Sequence, residues 1–343
     1  MQFDNVCIES LGYVIPDKVV PTSWFEEQLK PLYEAIGIPG GFIERLTGIK
    51  EHRYWDDGVS VSDGSAMAGE NALKAGGIDR SEVQCLINTS VCRDYIEPAT
   101  AAIVHHRLGL PSTAMSFDIV NACLGFLNGM VVVANMIELG QIDTGLVVAA
   151  EAPRVGQLAT IDYMLNNMLK NDHQDKERLR DNMASFTLGA ASVGMVLRHK
   201  SKSRAGKRLL GGASHSATEH CELCVAQNTW MRTKSTRLLQ EGTKVVLAAW
   251  ERFSATIGWT VSNVDKVFTH QVSEPQRQIV LKALNFLNKI DYPTLQYLGN
   301  TASVAAPISL AIGLDNGFVN EGDRVVLFGV GSGINSTALG LQW

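Results

Sequence analysis

The chain has 343 residues, 45% of them hydrophobic, which is long enough to bury two cores or one large duplicated core. Its net charge of −5 provides no positive field for binding nucleic acid or an anionic membrane. No long uninterrupted apolar run predicts a membrane span, and the N-terminus has no signal-peptide pattern. We therefore expect a cytoplasmic globular protein whose six cysteines are mostly reduced.

The first part of the chain alternates between short apolar strands and helices. Apolar runs with few charges are typical of a parallel sheet that is covered on both faces. Such alternation predicts an α/β protein built from right-handed βαβ units. The strands are expected over residues 3–13 and 85–91, and the helices over about 24–36, 63–75 and 99–108.

Cys123 lies at a predicted turn between a strand over 115–120 and a helix over 124–138. Ala122 and Gly125 are small and leave room for a substrate to approach the sulfur. Unpaired amides and a positive dipole at the start of a helix favour the thiolate, which is the nucleophilic form. The alternative is that Cys123 is a small buried hydrophobic residue.

The second part of the chain repeats the pattern of the first. A long helix precedes a buried strand in each part, and a late apolar strand follows. We therefore predict an internal duplication with two halves, residues 1–185 carrying the cysteine and 186–343 carrying a candidate histidine and asparagine. The corresponding elements are the strand over 145–151 in the first half, and the helix over 236–256 with strands over 266–269 and 324–329 in the second.

Three further features follow predicted strands or turns of the second half. His270 comes directly after a buried strand, Asn300 lies in a polar turn before an apolar helix, and Gly329–Gly333 is a glycine-rich turn. Ligands bind where strands end at one edge of an α/β sheet. A cysteine with a histidine and an amide side chain is a recurrent set for acyl transfer. Singly, His270 could be a packed histidine and Asn300 a helix cap.

The order of these motifs resembles that of the ketoacyl synthase III condensing enzymes of the thiolase superfamily. The resemblance covers nearly the whole chain and implies a thiolase-like αβαβα fold of five layers, built from two similar halves. Phe42 and Leu46 stand where synthase III enzymes commonly carry a tryptophan and an arginine that contact CoA. The matching segments are Arg45–Ile49, Asp118–Phe126, His270–Gln271, Gly299–Ser303 and Gly329–Gly333.

A narrower resemblance points to OleA-type enzymes, which join two long-chain acyl-CoAs head to head at the start of olefin and β-lactone pathways. It is carried by Ile87–Thr100, Ser216–Glu219 and Val330–Asn335. It implies long-chain acyl-CoA substrates, no further cofactor, and a homodimer in which Glu97 reaches the partner's active site. It also implies downstream olefin or β-lactone enzymes as partners. Without the resemblance, Glu97 is best explained as a surface carboxylate before a proline.

The resemblance further implies a non-decarboxylative Claisen condensation that yields a 2-alkyl-3-ketoacid. Cys123 takes the first acyl group, and Glu97 removes the α-proton of the second acyl-CoA. His270 and Asn300 then bind the carbonyl that becomes an enolate. The pair His270 and Asn300 thus forms one oxyanion hole, and the backbone amides of Cys123 and Ser332 form a second one. A carboxylate in an apolar tunnel, with a raised pKa, makes a suitable base for this weakly acidic proton.

Other functions use the same residues differently. A decarboxylative 3-oxoacyl-ACP synthase III needs malonyl thioester and not Glu97, whereas a thioester hydrolase would let water reach the acyl group on Cys123. A third alternative is a non-catalytic subunit of a heterodimeric synthase. The presence of both Cys123 and Glu97 argues against it, because such a subunit does not need a nucleophile.

A zinc site is weakly indicated, because a lone Cys-x-x-Cys usually needs a second ligand pair. Its candidate ligands are His215, His220, Cys221 and Cys224.

Overall fold

Strands and helices alternate along the chain in the computed structural model, which describes residues 1–168, 175–227, 229–286 and 290–343. The strands are β1 (Val6–Val14), β2 (Lys18–Pro21), β3 (Glu51–Tyr54), β4 (Cys85–Asn88), β5 (Met115–Asp118), β6 (Thr144–Glu151), β7 (Ala191–His199), β8 (Lys207–Ser216), β9 (Cys224–Gln227), β10 (Trp230–Thr233), β11 (Lys266–Thr269), β12 (Arg324–Gly331) and β13 (Asn335–Gln342). The α-helices are α1 (Thr22–Gln28), α2 (Lys30–Ile36), α3 (Phe42–Thr47), α4 (Val61–Gly76), α5 (Thr100–Arg107), α6 (Gly125–Glu138), α7 (Arg154–Asn167), α8 (Asp175–Asn182), α9 (Ser235–Ile257), α10 (Glu274–Ala283), α11 (Leu295–Leu298) and α12 (Ala305–Asp315). Within these described ranges, no helix combines the length and the apolar character needed to cross a membrane.

Most of the predicted elements are present within a few residues of their expected bounds. Helix α6 begins and ends within one residue of the helix predicted over 124–138, and the agreement for α9 is as close. The helix predicted over 24–36 is instead two helices, because Pro31 in the first turn of α2 has no N–H to donate to a preceding turn. The strand predicted over 85–91 ends at Asn88, where the chain turns into the polar loop.

Nine strands form one continuous mixed sheet in the order β11-β12-β13-β8-β1-β7-β6-β4-β5. In the run β5-β4-β6-β7-β1, the first two pairings are parallel and the next two antiparallel. The run β11-β12-β13-β8 repeats these directions, with a parallel bridge between Val267 and Asp291 in the place that corresponds to β5. The chain visits both runs in the same order, so the two runs share one topology. Strand β7 completes the first run although it follows residue 186, and the boundary between the halves stays a prediction.

Helices cover both faces of the two runs. Helices α6 and α12 share one core with residues such as Val147 of β6 and Leu327 of β12. The neighbouring residues point the other way, because side chains alternate along a strand. Leu146 packs with α4 and α5, and Val326 packs with α9 and α10. The order of layers is therefore αβαβα, which confirms the predicted fold.

This arrangement places the candidate residues at one edge of the sheet. Strand β5 ends shortly before Cys123, and β11 ends directly before His270. The backbone N–H of His270 donates to the carbonyl of Phe328 in β12, at 2.8 Å. Strand β12 in turn leads into the turn that contains Ser332. Carboxyl ends of parallel strands from both halves thus converge on one region.

Candidate active site

A cavity of about 340 Å³ contains the four site residues that were predicted to act within one chain. Cys123, His270, Asn300 and Ser332 all line it. The remaining wall is mostly apolar, which suits a hydrocarbon chain better than a charged ligand. Its apolar residues include Leu238, Leu239 and Val246 of α9, Met183, Met231 and Val280.

Cys123 is held in a tight turn directly before α6. The N–H of Leu124 donates to the carbonyl of Asn121 at 2.9 Å, and the N–H of Gly125 to that of Ala122 at 3.1 Å. The backbone angle φ of Ala122 is 44°, which lies in the left-handed region that residues other than glycine seldom adopt. A Cβ on Gly125 would lie 2.6 Å from the carbonyl oxygen of Thr89, so only glycine allows this approach. Close packing and local strain together fix the position of the sulfur.

The pKa of the Cys123 thiol is raised rather than lowered. Burial is the largest cause, and the neighbouring Cys224 and the carboxylate of Glu151 raise it further. Removing the sulfur from water therefore outweighs the start of α6, which was expected to favour the thiolate. Cys123 is therefore a thiol at rest, and its proton would have to leave for the sulfur to act as a nucleophile.

His270 lines the same cavity and has the chemistry of a proton acceptor. Its side chain is buried, and its Nδ1 has no hydrogen-bond partner in the described part of the chain. Burial lowers its pKa to about 4, so the ring is neutral near pH 7. A neutral imidazole can accept a proton on one nitrogen and donate from the other.

Asn300 is fixed by its own backbone and by its side-chain oxygen. Its N–H donates to the carbonyl of Thr187 at 2.7 Å, and its carbonyl accepts from the N–H of Gly189 at 2.9 Å. Its Oδ1 accepts from the N–H of Ala302 at 3.0 Å. Because the oxygen is engaged, the Nδ2 group is the donor left for a substrate. An amide donor beside a neutral histidine can bind a developing oxyanion.

Ser332 and Cys224 form a contact at the wall of the cavity. The Ser332 hydroxyl donates to the Cys224 sulfur at 3.2 Å. The four residues considered as zinc ligands lie in different surroundings. Cys221 is exposed whereas Cys224 is buried, and the His220 ring faces Glu241 at 3.5 Å. In the ranges that the structure describes, no group of three His, Cys, Asp or Glu residues is arranged to hold a metal ion. All six cysteines are free.

Glu97 lies outside the cavity of its own chain. Its side chain is exposed on the loop between β4 and α5, next to Ile96, which is 89% exposed. The end of the loop is nevertheless fixed, because it leads directly into the start of α5, which is anchored. The Asp118 carboxylate accepts from the N–H groups of Thr100 and Ala101, at 2.9 and 2.8 Å. A single chain thus presents Glu97 outward and does not bring it to Cys123.

Glu151 is a site residue that the sequence analysis did not single out. It ends β6, is buried, and accepts hydrogen bonds from the N–H groups of Val91 and Cys92 and from the hydroxyl of Ser303. Burial raises its pKa. It joins the start of the Glu97 loop to the turn after Asn300. The available signal was an acidic residue at the end of an otherwise apolar strand.

Phe42 and Leu46, at the positions where synthase III enzymes commonly carry a tryptophan and an arginine, lie in different surroundings. Leu46 is exposed at the mouth of the cavity, which it lines. Phe42 packs against Tyr33, with ring centroids 6.3 Å apart. Arg45 donates to the carbonyl of Gly40 at 2.7 Å and so fixes the segment before α3. The mouth is therefore lined by an aliphatic side chain where synthase III enzymes commonly carry a cation.

Known proteins match this chain along its whole length. The model for the N-terminal domain of thiolases matches residues 47–206, and that for the C-terminal part of 3-oxoacyl-[acyl-carrier-protein] synthase III matches 255–343. Acyl-CoA:acyl-CoA alkyltransferases of Shewanella oneidensis and Xanthomonas campestris are 39% and 33% identical, each over 100% of both chains. A crystal structure of Xanthomonas campestris OleA with bound lauric acid and lauroyl-CoA covers 99% of this chain and 100% of that one, at 32% identity and a TM-score of 0.94. The chain therefore belongs to the acyl-CoA:acyl-CoA alkyltransferases, the OleA family of the thiolase superfamily.

Proposed function

We propose that the protein condenses two long-chain acyl-CoAs without decarboxylation and forms a 2-alkyl-3-ketoacid. The observation that carries this proposal is the apolar cavity in which Cys123, His270 and Asn300 meet. Two alkyltransferases that match the full chain, and an OleA structure that holds lauroyl-CoA, support acyl-CoA as the substrate. No cofactor takes part in the proposed steps.

In the first half-reaction, the Cys123 sulfur attacks the carbonyl carbon of one acyl-CoA. The thiol proton passes to His270, whose neutral ring can accept it. The backbone amides of Cys123 and Ser332 bind the tetrahedral oxyanion. The carbon–sulfur bond to CoA then breaks, and CoA leaves with the proton. The acyl group remains on Cys123 as a thioester.

In the second half-reaction, Glu97 from the partner chain removes the α-proton of another acyl-CoA. His270 and Asn300 hold the carbonyl oxygen, whose charge grows as the enolate forms. The enolate carbon attacks the acyl-Cys123 carbonyl, and the carbon–sulfur bond breaks. The proton that Glu97 removed is returned to the Cys123 sulfur, so both groups regain their starting states. Water then cleaves the remaining CoA thioester and gives the ketoacid. Downstream enzymes of an olefin or β-lactone pathway would consume this product.

We further propose that the protein is a homodimer and that its partner chain covers the Glu97 loop. The loop carries two neighbouring side chains that are exposed and largely apolar, Tyr95 at 62% and Ile96 at 89%. Strand β5 is an edge of the nine-stranded sheet, and an edge strand is open to pairing with another chain. Association buries such a patch and brings Glu97 to a cavity. We place the dimer in the cytoplasm, because all six cysteines are free thiols.

Product analysis after incubation with myristoyl-CoA alone tests the reaction. We expect a β-ketoacid, or the ketone left after it loses carbon dioxide, in mass spectra without added malonyl thioester. Glu97→Ala should keep acylation of Cys123 and lose this product. Free myristic acid alone would favour a hydrolase. A product that requires malonyl thioester, in wild type and Glu97→Ala alike, would favour a decarboxylative synthase III.

A further inference from the structure

Gly242 lies inside α9, a helix of 23 residues. Glycine is a poor residue for a helix interior, because it loses more backbone freedom on folding than alanine does. Its presence in a long, regular helix therefore needs a reason. Two are usual: a positive φ, or a neighbouring group so close that a Cβ would collide with it.

Neither reason applies to Gly242. Its backbone is helical, and a Cβ there would meet one atom outside the helix, Cγ1 of Val330, at 4.0 Å. That is an ordinary van der Waals distance. Gly194, by contrast, would place a Cβ 2.6 Å from the carbonyl oxygen of Ala68. The packing of the protein itself thus leaves room for a side chain at Gly242.

The room in front of Gly242 is part of the active-site cavity. Gly242 lines that cavity together with Leu238, Leu239, Thr243 and Val246 of the same helix. Residues three and four apart share one face of a helix, so this face of α9 forms one continuous wall. Gly242 lies at its centre, where a side chain would project into the space that the acyl chain needs.

We propose that Gly242 determines which acyl chain lengths the cavity accepts. The missing side chain leaves open the depth that a long hydrocarbon chain fills, and a larger residue shortens that depth. The inference rests on the proposed function only in requiring that an acyl thioester is loaded onto Cys123.

The test compares wild type with Gly242→Ala, Gly242→Leu and the control Gln240→Leu. Gln240 is an exposed residue of the same helix, so its replacement adds the same side chain outside the cavity. Saturated acyl-CoAs from octanoyl to palmitoyl are supplied singly, and the initial rate of acylation of Cys123 is followed by intact mass. Circular dichroism gives the Tm of each variant.

We expect Gly242→Leu to lower the palmitoyl-to-octanoyl rate ratio by about tenfold or more, since a hydrophobic pocket discriminates strongly against one added group that does not fit. Gly242→Ala should lower the ratio less and raise the Tm by about 2 °C, because alanine favours the helix. Gln240→Leu should keep the wild-type ratio.

An unchanged ratio in Gly242→Ala and in folded Gly242→Leu would overturn the inference. If Gly242→Leu does not fold, the ratio in Gly242→Ala alone decides, because the cavity has space for its Cβ. Wild type that is acylated and never condenses would refute the proposed function and leave this inference standing. Wild type that accepts no acyl group from the series would refute both.

Discussion

Burial sets the protonation states of Cys123 and His270 before any substrate binds. It raises the pKa of the thiol and lowers that of the imidazole to about 4. Near neutral pH the two groups are therefore both uncharged, in contrast to a thiolate–imidazolium pair. In the proposed mechanism, proton transfer between them is tied to the attack on a thioester, when the sulfur begins to lose electron density. The resting enzyme should accordingly react slowly with alkylating reagents.

Replacing Glu151 with Gln should make Cys123 more reactive. The carboxylate of Glu151 is one cause of the raised pKa of Cys123, and glutamine removes its charge while keeping an acceptor oxygen. We expect alkylation of Cys123 by iodoacetamide at pH 8 to be faster by about threefold or more, with its pH midpoint moved to lower pH. Peptide mass spectrometry reports the modified cysteine.

The control for this change is Ser303→Ala, which removes a donor to Glu151 and leaves the charge. Because neutralising the carboxylate is what matters, Ser303→Ala should not share the shift to lower pH. Equal midpoints for Glu151→Gln and wild type would contradict the electrostatic explanation.

His270 should also make folding stability depend on pH. Its pKa is about 4 in the folded protein and about 6.5 in the unfolded chain, so between these values only the unfolded chain binds the proton. The stability that comes from keeping His270 neutral in the fold is therefore fully present above pH 6.5. It is lost as the pH falls toward 4. In urea titrations, His270→Asn should reduce the slope of stability against pH in this window by up to about 1.4 kcal/mol per pH unit.

His106→Asn removes an exposed ring and should keep the wild-type slope. A wild-type slope in His270→Asn would mean that the ring is protonated in the folded state as readily as in the unfolded one. His52, which is also buried and has a pKa of about 4, would account for the slope that remains.

Among the elements, the strand–turn–helix unit around Cys123 has the narrowest tolerance. Gly125→Ala would place a Cβ 2.6 Å from the backbone oxygen of Thr89, so α6 must move relative to β4. We expect a loss of about 1–3 kcal/mol in the free energy of unfolding, measured in urea, together with slower acylation of Cys123. Gly40→Ala, at an exposed position with no atom within 4 Å, should change stability by less than about 0.5 kcal/mol. Equal stabilities of the two variants would disprove this account of Gly125.

The same scale shows what could be predicted from the sequence. Hydrophobic spacing and flanking glycines gave α6 and α9 almost residue by residue, because both helices bury one regular face. Cys224 was assigned to a weak metal pattern and instead lies beside Cys123. Its hydrogen-bond partner Ser332 is 108 residues away in the sequence, in the turn after β12. Long-range contacts of this kind leave no local pattern in the chain.

For the whole molecule, the decisive test of the dimer is complementation between inactive chains. Cys123→Ala and Glu97→Ala should each be inactive in condensation. After dissociation and random reassociation, half of the dimers contain one chain of each kind, and each of these has one complete site. We expect about a quarter of wild-type activity in the mixture. Activity no higher than that of the separate variants would mean that Glu97 does not act across the interface.

The repeated strand order explains why the two halves resemble each other while their chemistry differs. The first half supplies Cys123 after β5, and the second supplies His270 after β11 and Ser332 after β12. The αβαβα layering followed from the family resemblance, since alternation of strands and helices alone fits many α/β folds. In the proposed dimer, the position of Glu97 depends on a second copy of the chain. No pattern within one chain specifies that contact.

In the proposed dimer, the outward position of Glu97 separates the two half-reactions by state of assembly. A lone subunit contains Cys123, His270 and Asn300, and by the proposed mechanism it can therefore be acylated. It lacks the partner's Glu97, the group proposed to make the carbanion, so the acylated subunit does not go on to condensation. Upon dilution, each dissociated subunit should accept one acyl group and release one equivalent of CoA quickly. Turnover should return only when the subunits reassociate.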